Sequence, residues 1–186
     1  FSIQIWENKM TRNVDVITLA QIDLIKGRSN ADLDKLASLL LDNYDVKFND
    51  DPTVSISEDS FCPSCDIVDG IIEEMCVDFA AVTGEEIYAD CYWGHIHERN
   101  MSTNTHNHNN TYVAGVLYVQ VPEGSGSISF RPRLNPYDGA AYASSFKPEK
   151  GVYYVFPGYL DHFVSRHKSD EKRISISFNF KKKNPD

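Results

Sequence analysis

Two periodicities divide the chain into a helical first part and a strand-rich second part. Apolar residues recur every three or four positions over residues 31–43 and again over 64–83, which predicts two amphipathic helices. Asn30 is the expected N-cap of the first helix, and Gly84 is the expected stop of the second. Residues 3–6 predict a first edge strand, residues 14–17 predict a second short strand, and the polar segment 45–60 predicts a loop.

From residue 87 onwards the period changes from 3.6 to 2. Strands are predicted over residues 87–98, 112–121, 127–130, 152–156, 160–164 and 173–180. Two helices followed by these strands indicate an α+β domain, in which the helices cover one face of a β-sandwich or open barrel. No linker or repeat divides the chain. We therefore expect one domain over 1–186, with 1–85 as strand and helical support and 86–181 as the β core.

Composition limits the partners and the location. The chain has 18 basic and 27 acidic residues, and its formal charge of −9 argues against nucleic acid or an anionic membrane as a partner. No apolar run reaches the roughly 18 residues of a membrane span. The first residues do not form a signal peptide, so a cytoplasmic location is expected. Cys62 and Cys65 have C-x-x-C spacing, but a redox or metal role is not favoured without a second pair.

A histidine-rich turn at residues 105–110 carries the candidate metal chemistry. His106 and His108 are separated by one residue, so on an extended segment both side chains point to the same side and can reach one ion. His162 can supply a third imidazole from another strand. Three protein ligands leave three positions of an octahedral ion open, as in non-haem Fe(II) oxygenases. The other interpretation of the turn is an ordinary polar surface loop.

The last predicted strand carries a candidate carboxylate-binding pair. Arg173 and Ser175 share one face, and burying a guanidinium there is costly unless it meets an anion. A guanidinium beside a hydroxyl is suited to holding a carboxylate. Tyr118 either donates a hydrogen bond to the same carboxylate or packs in the core. His95 and His97 are either contacts of the site or ordinary histidines, and the second interpretation is favoured.

In their order and spacing, these segments resemble the Fe(II)/2-oxoglutarate-dependent oxygenases. The nearest resemblance is to a group from bacteria and their phages that is distantly similar to prolyl hydroxylases. It rests on H-N-H at 106–108, A-G-V-L-Y-V at 114–119, F-P at 156–157 with His162, and R-I-S-I-S-F-N at 173–179. The similar region covers residues 86–180.

The resemblance implies a double-stranded β-helix, a jelly-roll or cupin-like core, with the N-terminal helices packed on one face. It gives His106 and His162 the places of the first and distal iron ligands. It gives Arg173 and Ser175 the place of the pair that holds the 5-carboxylate of 2-oxoglutarate. The family's usual Asp, two residues after its first His, is replaced here by His108. A three-His iron site is therefore expected.

The activity implied by the resemblance is that of a dioxygenase dependent on Fe(II) and 2-oxoglutarate, with O₂ as cosubstrate. It would hydroxylate a C–H bond of an unknown small-molecule or peptidyl substrate, in the host cytoplasm if the protein is phage-encoded. Two alternatives stay open. One is a three-His cupin-type dioxygenase that takes no 2-oxoglutarate, and the other is a non-catalytic β-sandwich binding module. The sequence leaves the oligomeric state open, a homodimer included, and the long loop 134–148 is a candidate lid.

Overall fold

The computed structural model describes residues 3–6, 14–19, 22–42, 62, 64–132 and 143–184. The predicted loop at 45–60 lies outside the described residues, as does most of the candidate lid at 134–148. The elements, in chain order, are β1 (Ile3–Trp6), β2 (Val14–Leu19), β3 (Ile22–Arg28), α1 (Leu33–Asp42), α2 (Asp66–Thr83), β4 (Ile87–His97), β5 (Thr103–His106), β6 (Val113–Gln120), β7 (Ile128–Arg131), β8 (Ser144–Phe146), β9 (Val152–Pro157), β10 (Asp161–Val164) and β11 (Arg173–Lys182).

Both predicted helices form, with one correction at the start of α1. Its N-cap is Asp32 and not Asn30, because the Asp32 carboxylate accepts a hydrogen bond of 3.0 Å from the backbone N–H of Lys35. The end of α2 is as predicted. Gly84 adopts a left-handed φ of 75°, and its N–H donates to the carbonyl of Ala80. Neither helix in the described part of the chain is long and apolar enough to cross a membrane.

The strands form two antiparallel sheets. The larger sheet has the order β1-β2-β3-β9-β6-β11-β4, and the smaller has the order β5-β10-β7-β8. From β4 to β11 the chain passes back and forth between the two sheets, which is the winding of a double-stranded β-helix. The expected fold class is confirmed. All eight predicted strands are present, and β3, β5 and β8 are additions.

The larger sheet has a buried apolar cluster on each of its faces. One cluster joins it to α1 and α2, and the other fills the space between the two sheets. Successive side chains of β11 point alternately to the helices and to the space between the two sheets. Ile174, Ile176 and Phe178 point to the helices, whereas Arg173, Ser175 and their successors on that face point into the β-helix. The polar face of β11 is thereby exposed to a pocket between the sheets.

Candidate active site

Three histidines meet at one end of the β-helix. His106, the last residue of β5, is the direct cross-strand partner of His162 on β10, and His108 follows in the turn after β5. One nitrogen from each ring lies within 4.8 Å of those of the other two. The centroids of the His106 and His162 rings are 4.3 Å apart. The structure therefore brings together the three predicted ligands, and their binding of a metal stays a prediction.

The turn that carries His108 is held by close backbone contacts with the turn after β9. The N–H of His108 donates to the carbonyl of Gly158 at 2.7 Å, and the N–H of Thr111 donates to the carbonyl of His108 at 2.9 Å. A Cβ on residue 158 would lie 2.1 Å from the carbonyl oxygen of Thr111. A side chain there would collide with the backbone, so this turn requires glycine.

Asn107 faces away from the histidines, as predicted. Its amide donates a hydrogen bond of 2.7 Å to the carboxylate of Asp161. This contact joins the two ligand-bearing segments on the side opposite the three rings. Because Asp161 points to that side, its carboxylate does not replace the aspartate that the family's usual motif would supply.

Each of the three rings is held in one orientation by a hydrogen bond from its Nδ1 atom. The acceptors are the carbonyl of Asn104 for His106 (2.9 Å), the carbonyl of Leu160 for His162 (2.9 Å) and the side-chain oxygen of Asn179 for His108 (2.5 Å). A carbonyl oxygen only accepts, so each neutral ring carries its proton on Nδ1 and keeps a lone pair on Nε2. Hydrogen bonding of this kind orients histidine ligands of metal ions.

Burial keeps two of the rings neutral. It lowers the pKa of His162 to about 3, with the neighbouring His106 adding to the effect. Burial also lowers the pKa of His108, although the hydrogen bond to Asn179 opposes the shift. A neutral imidazole is the form that binds a metal ion. At neutral pH these rings need lose no proton from Nε2 before a metal can bind.

Trp93 supports the ring of His108 from one side. The two rings stack with centroids 5.7 Å apart and planes 22° apart. The indole N–H of Trp93 donates to Nε2 of His95 at 2.7 Å. This hydrogen bond holds the orientation of the indole ring. With Asn179 on its Nδ1 atom, His108 is thus fixed by contacts on a face and an edge. His108, at the position where the resemblance would place an aspartate, is therefore held in one orientation by its neighbours.

A buried cation lies deeper in the same pocket. Arg173 is 1% exposed, and its Nη1 donates to the hydroxyl of Ser175 at 3.3 Å and to Nδ1 of His97 at 3.1 Å. Its Nε has no hydrogen-bond partner among the described residues. No ion pair with a described residue neutralises it, and burial lowers the pKa of its guanidinium. A buried cation with an unused donor points to an anion that binds there.

Tyr118 lies against this cation. The guanidinium carbon of Arg173 is 5.2 Å from the centroid of the Tyr118 ring, and Tyr118 is the cross-strand partner of Ser175. The Tyr118 hydroxyl is buried without a hydrogen-bond partner in the described residues, and burial raises its pKa to about 12. The hydroxyl is therefore protonated at neutral pH and able to donate a hydrogen bond.

The pocket beside these groups has about 400 Å³ of space between its atoms, part of which is open to solvent. Its lining includes the three histidines, Arg173 and Ser175, together with apolar side chains from both sheets. None of the lining residues, all from the described part of the chain, is acidic. These residues therefore offer no carboxylate to balance the charge of Arg173 or of a bound metal ion.

His97 fits both interpretations that the sequence left open. It is a buried histidine satisfied by hydrogen bonds, the interpretation we favoured, and it is also a contact of the site, since it lines the pocket and is hydrogen-bonded to Arg173. The period-2 pattern correctly put it on the site-facing side of β4, but its pairing with β11 has no local signal. Cys62 and Cys65 pack beside the cluster between the helices and the larger sheet. Burial raises the pKa of the Cys62 thiol to about 12, which disfavours a reactive thiolate.

Two known structures share the winding of this chain over most of its length. A prolyl-4-hydroxylase of Pseudomonas putida has a TM-score of 0.60 at 15% identity, covering 89% of this chain and 96% of that one. A carbocyclase of nogalamycin biosynthesis, described as non-haem and α-ketoglutarate dependent, has a TM-score of 0.62 at 9% identity, covering 84% and 78%. At these identities the likeness shows the fold alone.

The sequence itself matches a family model. Residues 91–179 match the model described as "Putative 2OG-Fe(II) oxygenase", and no curated protein is similar enough to match the chain. The matched segment runs from β4 through β11 and contains the three histidines, Tyr118 and the Arg173–Ser175 pair. It is the segment that the resemblance in sequence had singled out. Over residues 91–179, this chain is thus similar to the 2OG-Fe(II) oxygenase family.

Proposed function

We propose that this protein is a dioxygenase that uses Fe(II), 2-oxoglutarate and O₂ to hydroxylate a C–H bond, with His106, His108 and His162 as the iron ligands. One observation carries the proposal. A single pocket holds three imidazoles with lone pairs on Nε2 and a buried guanidinium with no anion beside it. The first set suits a metal ion, and the second suits the far carboxylate of a dicarboxylic cosubstrate.

The three imidazoles suit an iron ion that keeps open positions. His106 and His162 come from paired strands and His108 from the adjoining turn. They would supply three of six ligands, and exogenous ligands would take the other positions. With three imidazole ligands, the site would carry one more positive charge than a site with two His and one carboxylate.

The buried arginine supports 2-oxoglutarate as the cosubstrate. Arg173 would receive the 5-carboxylate on its unused donor edge, while the Tyr118 hydroxyl, also without a partner, would donate to it. Ser175 accepts from Nη1 and holds the guanidinium in plane. Binding the carboxylate would satisfy two buried donors together, each of which costs about 1 to 3 kcal/mol when left unpaired.

When bound, iron and 2-oxoglutarate supply the oxidative chemistry, in which O₂ converts the cosubstrate to succinate and CO₂ and one oxygen atom enters the substrate C–H bond. The chain's own residues bind and orient the reactants. Val116, Ile128 and Phe156 line the pocket from both sheets and limit the entry of water. Two backbone carbonyls and the side-chain oxygen of Asn179 accept from Nδ1 of the three histidines and hold the orientation of each ring.

The substrate class is proposed only broadly, as a small molecule or a peptidyl group. A similar solved structure is described as a prolyl-4-hydroxylase, which makes peptidyl proline the nearest analogy. The charge of −9 argues against nucleic acid and anionic membranes as partners. We further propose that the chain acts as a single domain over 1–186 in the cytoplasm, with the oligomeric state, a homodimer included, left open.

Anaerobic titration of the metal-free protein with Fe(II), and then with 2-oxoglutarate, tests the proposal. A weak visible charge-transfer band is expected when the cosubstrate chelates the iron. His162→Ala should abolish the band, and Arg173→Ala should shift it to far higher cosubstrate concentration. Arg99→Ala, at an exposed surface ion pair with Asp170, should leave it unchanged.

The same titration separates the alternatives. Bound iron without a band at any 2-oxoglutarate concentration would favour the cupin-type dioxygenase. A protein that binds no iron and tolerates His162→Ala would be a binding module with the fold of an oxygenase. Succinate formed in proportion to O₂ consumed would complete the case for the proposed reaction.

A further inference from the structure

We propose that His97 is a positioning residue for the cosubstrate, which sets the orientation of Arg173 and couples it to the strand that carries His106. The inference rests on the proposed function, because it assigns Arg173 to the carboxylate of 2-oxoglutarate. His97 itself contacts neither iron nor cosubstrate in this assignment. It acts through the arginine.

The geometry of the guanidinium shows why a positioning residue is needed. Arg173 has a long side chain, and its Nη1 donates hydrogen bonds to Ser175 and to His97. Ser175 lies on the same strand, two residues along. His97 lies on β4, directly across from Arg173 in the pairing of β4 with β11. The hydrogen bond to His97 is therefore the one that ties the guanidinium to a neighbouring strand.

The chemistry of the contact fixes the state of the histidine. A guanidinium only donates, so Nδ1 of His97 must accept and its proton must sit on Nε2. That Nε2 lies 3.0 Å from the hydroxyl of Thr103, to which it donates. Both side chains are buried, at 1% and 6% exposure. Each ring nitrogen thus has one partner of the correct kind, in an interior where an unpaired group is costly.

This chain of contacts reaches the metal side of the pocket. Thr103 is the first residue of β5, and His106 is the last. The path Arg173 to His97 to Thr103 therefore spans from β11 across β4 to β5. It fixes the distance between the carboxylate-binding arginine and the strand that carries a proposed iron ligand. A cosubstrate that must contact both Arg173 and the proposed iron site depends on that distance.

Two substitutions at residue 97 separate positioning from packing. His97→Leu fills the site with apolar volume and removes both contacts. His97→Asn puts a side-chain oxygen near the position of Nδ1 and keeps an acceptor for Arg173. The full chain, loaded with Fe(II) under anaerobic conditions, is titrated with 2-oxoglutarate and followed calorimetrically and by the charge-transfer band. Fe(II) affinity is measured on the same samples.

The expected result is a selective loss. His97→Leu should raise the dissociation constant of 2-oxoglutarate roughly tenfold or more, the size of effect typical of residues that orient a binding group. Its Fe(II) affinity should stay close to that of the wild type. His97→Asn should recover most of the cosubstrate affinity. Thr103→Val, which is nearly the same size and removes the hydroxyl, should give a smaller loss and serves if His97→Leu fails to fold.

Two outcomes would overturn the inference while the proposed function stands. One is wild-type cosubstrate affinity in His97→Leu or, if that variant is unfolded, in Thr103→Val. The other is an equal loss of Fe(II) and 2-oxoglutarate binding in His97→Leu without recovery in His97→Asn, because that pattern indicates a packing role. If the wild type binds Fe(II) but no 2-oxoglutarate, the proposed function fails first and this inference fails with it.

Discussion

Replacing Arg173 by methionine should stabilise the metal-free protein while it removes cosubstrate binding. The guanidinium is 1% exposed, its Nε lacks a partner, and no carboxylate among the described pocket residues neutralises it. An unpaired buried donor costs about 1 to 3 kcal/mol, and an uncompensated buried charge costs several kcal/mol more. Methionine has a similar length and adapts to irregular space.

The substitution also has a cost, which sets the expected size of the gain. Without the arginine, Nδ1 of His97 and the hydroxyl of Ser175 lose a donor, at a cost of about 1 to 3 kcal/mol together. The desolvation of the charge outweighs this loss. We expect the free energy of unfolding of Arg173→Met to exceed that of the wild type by about 1 to 3 kcal/mol, in the range found when buried ionic groups are replaced by apolar ones.

Urea unfolding at neutral pH with a chelator present gives this difference. Repeating it anaerobically with Fe(II) and 2-oxoglutarate at 100 times its dissociation constant should add about 2.7 kcal/mol to the wild type and nothing from 2-oxoglutarate to Arg173→Met. The order of stability should then approach equality or reverse. Arg99→Met, at an exposed ion pair with Asp170, is the control and should change stability by less than about 0.5 kcal/mol.

An uncompensated charge at Arg173 would be refuted if metal-free Arg173→Met were less stable than the wild type by more than about 1 kcal/mol with an unchanged denaturant slope. The arginine would then be a net structural contributor, and an anion would not be needed to explain its burial. Equal stabilisation of both proteins by 2-oxoglutarate would refute the assignment of the carboxylate to Arg173.

Three further predictions concern the histidines. Gly158→Ala should weaken Fe(II) binding with little change in overall fold, because the new Cβ would lie 2.1 Å from the carbonyl of Thr111 and displace the turn of His108; competition with a chelating dye measures this, and unchanged affinity would contradict it. Asn179→Leu should lower Fe(II) affinity about 10- to 100-fold by removing the acceptor that orients His108. Asn179→Asp keeps an acceptor and should lose less in the same assay. Burial lowers the pKa of His162 to about 3, so below pH about 6.5 the unfolded chain binds a proton that the folded protein excludes. The free energy of unfolding of the metal-free protein should therefore fall as pH falls from 6.5 towards 3, by up to about 1.4 kcal/mol per pH unit from this group. His162→Gln should flatten the slope seen in urea unfolding at pH 7, 6 and 5, and an unchanged slope would argue against a neutral buried ring.

Two of the strands that the sequence did not predict, β3 and β5, lack a regular alternation of core and solvent side chains. In β3, Leu24 and Ile25 are adjacent and both buried, because one faces the space between the sheets and the other faces the helices. A strand buried on both faces loses its period of 2. β5 reads Thr-Asn-Thr-His and has no apolar residue at all. Its side chains serve the site, so a search for hydrophobic alternation passes over it.

The candidate residues of the site could be predicted from the sequence, but the contacts that hold them in place could not. The H-x-H spacing, the distant His162 and the Arg173–Ser175 pair could be read from residue types and local periodicity. The support of these residues depends on contacts between segments far apart in the chain, such as Asn179 with His108. Register between strands is decided by the whole sheet. For that reason, His97 could be assigned to a face but not to a partner.

The alternation of β11 makes this strand unusually sensitive to a change in length. Its odd-numbered positions from 173 to 179 carry the polar groups that face the site, and its even-numbered positions from 174 to 180 carry the core beneath the helices. Deleting or inserting one residue near its start would turn every later side chain to the opposite layer. Arginine and serine would enter the apolar layer while isoleucine and phenylalanine filled the pocket. Conservative substitutions at single positions of β11 should therefore be tolerated better than any change of length.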